Sequence, residues 1–519
     1  MKLNTNLAYL LKDLEYTILQ GNVEGGITAV INDSRKACPG CLFLCIPGAR
    51  VDGHDFASDV AAKGAKVLVV QKPVKVPEDV TVIQVPDTRY AMAFISAAYF
   101  DHPDQKLKTI GITGTKGKTT TTYLVKSILE KTGLRVGLVG TIETIIGDRC
   151  IPSANTTPES YTLQQYFAEM VEAGLDAVVM EVSSQGLMLH RTQGFVFDYG
   201  IFTNLEPDHI GPDEHGSFEE YMACKGLLFK QCLVGIVNGD DSHVDDVISG
   251  HTCSIERYGF GKDNDLRAVN TQLVKTPGRL GSAFDVVIRR PECVMGENAL
   301  ALENCGVSQT CAGADGYTLS AEIASPGRFS IYNALTAIAI CLHFGAGHEE
   351  IRQALLTAKV KGRIEMVPVS DKFTLMIDYA HNAMALKSLL STIKEYEPNR
   401  LVCVFGCGGN RSRLRRFEMG EVSGRLADLT VITSDNPRFE KPQDIIDDIK
   451  IGMVKTEGTY VEICDRKEAI RYAIEHGQPG DIIVLAGKGH EDYQEIEGVK
   501  YPMDERVLIA EVLDELSRG

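Results

Sequence analysis

Hydrophobic positions change their spacing along the chain. Up to residue 106 they form short strand-like runs at 66–71 and 80–85, with a turn-rich stretch from Pro39-Gly40 to Asp52-Gly53. An apolar helix over 91–100 follows and is broken by Asp101-His102-Pro103-Asp104. From residue 107 the pattern becomes strand, loop, helix, repeated. Strands are predicted at 109–112, 135–139, 176–182, 199–204 and 233–237. Leu124, Val125, Ile128 and Leu129 share one face of a helix over 121–131 that ends at Gly133. Such alternation predicts a mostly parallel sheet with helices on both faces. Residues 265–325 are richer in strand and turn, which predicts an antiparallel addition. A helix over 332–342 and the Gly-rich stretch 343–347 then predict a boundary. The alternation resumes with strands at 373–378, 401–406, 429–433, 460–463 and 482–486, a second doubly wound domain. The expected fold is α/β, with domains at 1–106, 107–347 and 348–519.

Composition narrows the function. A chain of 519 residues is too long for one core. Its formal charge of −17 excludes the broad basic surface that a general nucleic-acid or anionic-membrane binder needs. Small anionic substrates remain compatible, because a few local cations outweigh a distant average. The fourteen Cys are scattered, without zinc spacing, which points to reduced thiols. No secretory signal pattern or membrane-length apolar run is visible, so a cytoplasmic protein is expected.

In open α/β sheets, ligands collect at the carboxyl ends of strands. There the chain places Gly111-Ile112-Thr113-Gly114-Thr115-Lys116-Gly117-Lys118-Thr119-Thr120, between a strand and a helix. Gly114, Thr115, Lys116, Gly117 and Thr120 would surround phosphate oxygens with backbone amides, Lys118 would reach the β/γ oxygens, and the Thr119 hydroxyl would ligate Mg²⁺. Strict Walker spacing asks for Gly at 112, which is Ile, and a Gly-rich turn without nucleotide is the bland alternative. Glu181 ends the strand at 176–182. The next strand ends in Thr203-Asn204-Leu205-Glu206-Pro207-Asp208-His209. Singly, such residues are more often solvated or structural. Together, Thr119, Glu181 and His209 form an oxygen and nitrogen set that suits Mg²⁺.

The segment Thr113–Thr120 resembles the loop of the Mur ligases and of their relative folylpolyglutamate synthase. Asp33-Ser34-Arg35, Pro39-Gly40 and Asp52-Gly53-His54 are similar to the UDP-binding region of the tripeptide-forming branch of that family. The resemblance implies an N-terminal UDP-binding domain, a central ATPase-like domain and a C-terminal Rossmann-like domain. It implies an ATP-dependent ligase that activates a carboxylate as an acyl phosphate and joins it to an amine. Lys118, Lys225, Glu181, His209 and Arg363 would be catalytic. Asn204, Asn333, Arg363, Asp378 and His381 would face ATP, and Ser34, Asn155, Thr156, Thr157, Ser183 and Arg191 would hold a UDP-muropeptide. Lys225, in Tyr221-Met222-Ala223-Cys224-Lys225, matches a lysine that is carbamylated in the family and helps hold a second Mg²⁺. Asp435-Asn436-Pro437-Arg438, with Arg411, Gly487 and Glu491, matches the pattern for meso-diaminopimelate: the arginine pairs with a distal carboxylate and Glu491 with the distal ammonium.

Three positions depart from the family pattern: Leu189 stands where some relatives have a polar contact, Asn410 where Asp is common, and Asn382-Ala383-Met384 follows His381 without the usual Pro. The expected partners are UDP-MurNAc-L-Ala-D-Glu and meso-diaminopimelate, with ATP and Mg²⁺, on a monomer. Alternatives are the same ligase using L-lysine, a folylpolyglutamate synthase-like ligase, and a non-catalytic nucleotide-binding regulator.

Overall fold

A computed structural model describes residues 3–48, 51–207, 210–211, 214–276, 278–289, 308–309 and 317–518. The chain forms two compact units. The first comprises residues 1–267, 288–317 and 335–351, the second residues 268–287, 318–334 and 352–519.

The first unit contains two sheets. The smaller has the strand order Thr17–Gln20, Thr81–Gln84, Val67–Val70, Leu42–Leu44, Val30–Ile31, parallel except for the first pair. All four residues of Val67–Val70 are buried, as expected of a central parallel strand covered on both faces. Helix Thr88–Tyr99 starts three residues before the apolar run. The Asp87 carboxylate caps it by accepting the Arg89 and Tyr90 amides at 2.7 and 3.1 Å.

In the larger sheet, Lys108–Thr113 lies between Ala177–Glu181 and Phe197–Phe202, all parallel. The register pairs Glu181 with Ile112 and Phe202 with Thr113, so three strand ends and the loops leaving them share one edge. Cys232–Asn238 and Ser254–Gly259 extend the parallel sheet on one side. On the other side Val136–Val139 is followed by Glu143–Ile146 and Arg149–Pro152, both antiparallel and too short to show a period in the sequence.

At the opposite edge, the turn Pro103–Lys106 carries Asp104. Burial, with Asp198 nearby, holds the Asp104 carboxyl up at about 6. Because the folded-state value lies above the unfolded one, the protonated acid favours folding and stability falls as pH rises from about 4 through 6. Asp104→Asn is expected to stabilise the protein by on the order of 2 kcal/mol at pH 7–8, with the gain gone near pH 4. Denaturant midpoints measured across that range check it; a gain independent of pH would contradict it.

The second unit is built on a six-stranded sheet, in the order Glu365–Val367, Thr374–Asp378, Ile482–Ala486, Leu401–Phe405, Leu429–Ile432, Thr459–Glu462, parallel except for the first pair. Strand Arg279–Ile288 neighbours Leu266–Thr276 and Tyr317–Ile323. The sequence expectation for 265–325 also covers 290–307 and 310–316, outside the described residues. A separate hairpin, Tyr493–Ile496 with Val499–Pro502, is antiparallel.

Arg466 and Glu505 form a fully buried ion pair at 2.7 Å. Arg466 also donates to the carbonyls of Ser434 at 3.1 Å and Ala486 at 3.0 Å. That cation ties two strand ends together immediately before Asp435 and Gly487. Among the described residues every cysteine is free, and no helix is long and apolar enough to cross a membrane.

Candidate active site

The glycine-rich loop joins strand Lys108–Thr113 to helix Lys118–Lys131. The helix starts earlier than its apolar face, because its first turn consists of Lys and Thr. Gly114 has φ 145°, and an added Cβ there would overlap Thr203 Oγ1; only glycine fits that crossing. Asn204 shapes the loop from the neighbouring strand end. Its carbonyl accepts the Thr115 amide at 2.8 Å, its Oδ1 accepts the Lys116 amide at 2.9 Å, and its Nδ2 donates to the Lys116 carbonyl at 3.0 Å. The amides of Lys118, Thr119 and Thr120 open the helix, the end at which backbone N–H groups point toward a bound anion. Lys118 Nζ donates to the carbonyls of Gly114 and Thr115 at 2.8 and 3.1 Å. Lys116 pairs with Glu206 at 2.5 Å.

Glu181 is buried at the next strand end. Thr119 Oγ1 lies 3.0 Å from both carboxylate oxygens, the Thr141 amide donates to Oε1 at 2.8 Å, and Thr141 Oγ1 donates to Oε2 at 3.1 Å. Thr156 joins through Thr141 Oγ1 at 3.1 Å. A carboxylate and a hydroxyl thus meet at a helix N-terminus, two hard oxygen donors of the kind Mg²⁺ takes beside phosphate. His209 lies outside the described residues.

Helix Phe218–Gly226 puts Tyr221 and Lys225 on one face, four residues apart. Lys225 is only 1% exposed; its Nζ donates to Gly114 O at 2.9 Å and lies 4.3 Å above the Tyr221 ring. The Tyr221 hydroxyl in turn meets Thr115 Oγ1 at 3.0 Å.

Thr157, Ser183 and Arg191 come together beside Glu181. Thr157 Oγ1 donates to the Glu181 carbonyl at 3.0 Å and accepts the Ser183 amide at 2.9 Å; Arg191 donates to the Thr157 carbonyl at 3.0 Å and pairs with Glu159 at 2.7 Å. Ser183 caps the short helix Ser184–Met188, whose C-cap is Leu189. Asn155 is exposed on the preceding loop. Ser34 lies in the turn Ser34–Lys36, capped by Asp33, between two strands of the smaller sheet, and its carbonyl accepts from Lys63 at 2.9 Å.

Asn333, Arg363, Asp378 and His381 are in the second unit. Asn333 is buried within helix Arg328–His343. Asp378 accepts the Ile364 and Ala380 amides, each at 2.9 Å, and burial pushes its carboxyl upward against the opposing pull of Arg363. The Arg363 guanidinium lies 4.9 Å above the Tyr379 ring. His381 Nδ1 meets the Tyr379 carbonyl at 2.9 Å. Asn382 then caps helix Ala383–Lys394 by accepting the Ala385 amide at 2.8 Å, which sets this turn without proline. Burial and the nearby cations hold His490 down at about 4, so it is neutral near pH 7.

Asp435, Asn436, Arg438, Gly487 and Glu491 converge at the edge of the six-stranded sheet. Arg438 has φ 51° and is bridged to Ile496 of the hairpin. Its Nη1 donates to Gly409 O at 2.7 Å and its Nε to Glu495 at 3.1 Å. Asn436 Nδ2 donates to Glu491 at 2.8 Å. Asn410 adopts φ 53°, which Asn tolerates, and its Oδ1 accepts the Phe439 amide at 3.1 Å, an acceptor role that Asp would share. Arg411 is exposed on the same loop.

Sequence reasoning missed Thr141, Tyr221, Lys488 and Glu495. Tyr221 carried a signal in its position one helical turn before Lys225, and Lys488 in its place between two glycines of the motif 487–491; Thr141 and Glu495 are recognised by their pairing alone.

A glycine-rich loop at a parallel strand end, with a hydroxyl and a buried carboxylate at the helix start, defines an α/β phosphate-binding protein. Comparison with known proteins narrows that class. Family models match as "Mur ligase family, catalytic domain" at 26–100, "Mur ligase middle domain" at 112–341 and "Mur ligase, glutamate ligase domain" at 362–489. Two similar relatives are named UDP-N-acetylmuramoyl-L-alanyl-D-glutamate–2,6-diaminopimelate ligase. The one from Clostridium perfringens is 39% identical, covering 98% of this chain and 99% of its own; the one from Caldanaerobacter subterraneus subsp. tengcongensis is 41% identical with the same coverage. A solved structure with that name has a TM-score of 0.71 at 26% identity, covering all of both chains. Folylpolyglutamate synthase from Mycobacterium tuberculosis shares the fold over 77% of this chain and 92% of its own, at 16% identity and a TM-score of 0.55. The chain belongs to the Mur ligase family, and its fold is the three-domain α/β arrangement of that family.

Proposed function

We propose that this chain is an ATP-dependent ligase that adds meso-diaminopimelate to UDP-MurNAc-L-Ala-D-Glu in peptidoglycan precursor synthesis, working as a cytoplasmic monomer. The D-glutamyl carboxylate attacks the γ-phosphorus of ATP, ADP leaves, and the amine displaces phosphate from the acyl phosphate with loss of a proton. Lys118 and the amides opening its helix stabilise charge on the phosphoryl oxygens. Thr119 and Glu181, with His209, would hold Mg²⁺, which neutralises the phosphates when bound. Asn204 keeps the loop open by taking the Thr115 and Lys116 amides. Lys225 is placed for a carbamate by its burial beside the loop: as a neutral amine it would add CO₂ and release a proton, becoming an anion. Thr156, Thr157, Ser183 and Arg191 would hold the muropeptide, with Asn155 and Ser34. Asn333, Arg363, Asp378 and His381 would serve the nucleotide.

The observation that carries the choice of amine is the cation–anion pair at the edge of the six-stranded sheet. Arg438 uses Nε and Nη1 on Glu495 and Gly409, which leaves Nη2 for a carboxylate, while Glu491, held through Oε2 by Asn436 and Lys488, would take the distal ammonium on Oε1. A distal group carrying both charges matches diaminopimelate, whereas lysine lacks the carboxylate. The test is an amino-acid panel with ATP, magnesium and UDP-MurNAc-L-Ala-D-Glu. Amide formation is expected with meso-diaminopimelate, and equal use of L-lysine would overturn the assignment. Arg438→Ala is expected to raise the KM for diaminopimelate at least about tenfold, with the KM for ATP unchanged, since one charge-assisted pair is lost. Steady-state kinetics against each substrate checks this.

A further inference from the structure

We propose that Lys488 is the positioning residue of the amino-acid pocket, acting through Asn436 and Glu491 without touching the substrate; this rests on the ligase reading above. Lys488 is fully buried between two glycines at a strand end, an expensive place for an ammonium unless it is paired. Its Nζ donates to Asn436 Oδ1 at 3.0 Å, to Glu491 Oε2 at 2.8 Å and to Tyr493 O at 2.5 Å, with Asp435 at 3.7 Å. One cation therefore joins the strand end at 435–436, the loop at 491 and the start of the hairpin that carries Glu495.

The chemistry of these contacts fixes an orientation. An ammonium only donates, and so does the Glu495 amide, which reaches the same Asn436 oxygen at 2.9 Å. The Asn436 side chain can therefore present only its oxygen to them, and its Nδ2 must face Glu491 at 2.8 Å. The Lys488 and Asn436 bonds both land on Glu491 Oε2. Held there, the carboxylate turns Oε1 to an incoming ammonium group. Without Lys488 the Asn436 oxygen keeps only the Glu495 amide, Glu491 Oε2 loses its charged donor, and the Asp435 and Glu491 carboxylates lose the charge between them.

The test is full steady-state kinetics on Lys488→Met, Glu491→Gln and the double variant. Lys488→Met is expected to raise the KM for diaminopimelate at least about thirtyfold, with the KM for ATP and for the UDP-dipeptide within about twofold, as loss of a buried charge-assisted contact would. A merely structural role would shift all three constants together. Because Lys488 acts through Glu491, the double variant should have a KM within about threefold of Glu491→Gln alone; effects that multiply would overturn the proposal. The double variant leaves fewer unpaired buried charges, so this comparison stands even where Lys488→Met does not fold. Failure of the unmutated enzyme to use diaminopimelate would sink the ligase reading. Normal use by the wild type with an unchanged KM in Lys488→Met would sink only this inference.

Discussion

Lys225→Ala protein is expected to lose ligation almost completely, at least about a thousandfold in kcat, and to regain part of it when a short carboxylic acid such as acetate is supplied. Lys225 is buried beside the phosphate loop, with Gly114 O and the Tyr221 ring as neighbours. Alanine leaves a cavity the length of the side chain, and a small carboxylate can enter it and restore the anion that a carbamate would provide. If Lys225 worked as a plain ammonium, methylamine would rescue and acetate would not. Phosphate release with and without each additive separates the two, and full activity without additive would exclude any role for the side chain in turnover.

The second large effect is expected at Glu181. Glu181→Gln should lower kcat at least about a thousandfold, or ~4 kcal/mol in the barrier, with little change in thermal stability. The amide keeps an oxygen for the Thr141 N–H bond and offers an NH₂ group that the Thr119 and Thr141 hydroxyls can accept, so the local packing survives while the charge is lost. Glu181→Ala, by contrast, would orphan the half-buried Thr141 amide and should lower both kcat and stability. Raising the magnesium concentration should partly restore Glu181→Gln if the carboxylate's task is to hold the ion. Equal loss of stability in both variants would assign Glu181 to structure alone.

How much was legible in the sequence depended on range. The phosphate loop, Glu181 and Asn204 stand at strand ends in unusual local sequences, so a linear reading finds them. Strand 482–486 was placed at the bounds the structure gives, Ile482–Ala486, because it is a continuous apolar run buried on both faces. The short antiparallel strands Glu143–Ile146 and Arg149–Pro152 were not legible, since four residues carry too little period. Thr141 reaches Glu181 across 40 residues, Tyr221 reaches Thr115 across 106, and Lys488 reaches Asn436 across 52. Those pairings exist only after the sheets order the chain, and no local pattern announces them. Asn204 stands out in the sequence, but its work on the loop is visible only as hydrogen bonds.

Activation of the carboxylate by phosphoryl transfer is tested most directly with UDP-MurNAc-L-Ala-D-Glu labelled with ¹⁸O in the D-glutamyl carboxylate, incubated with ATP, magnesium and diaminopimelate. One labelled oxygen is expected in the phosphate released, in step with amide formation, because the attacking oxygen departs on phosphorus. Amide formed while the phosphate carries no label would contradict the acyl-phosphate route.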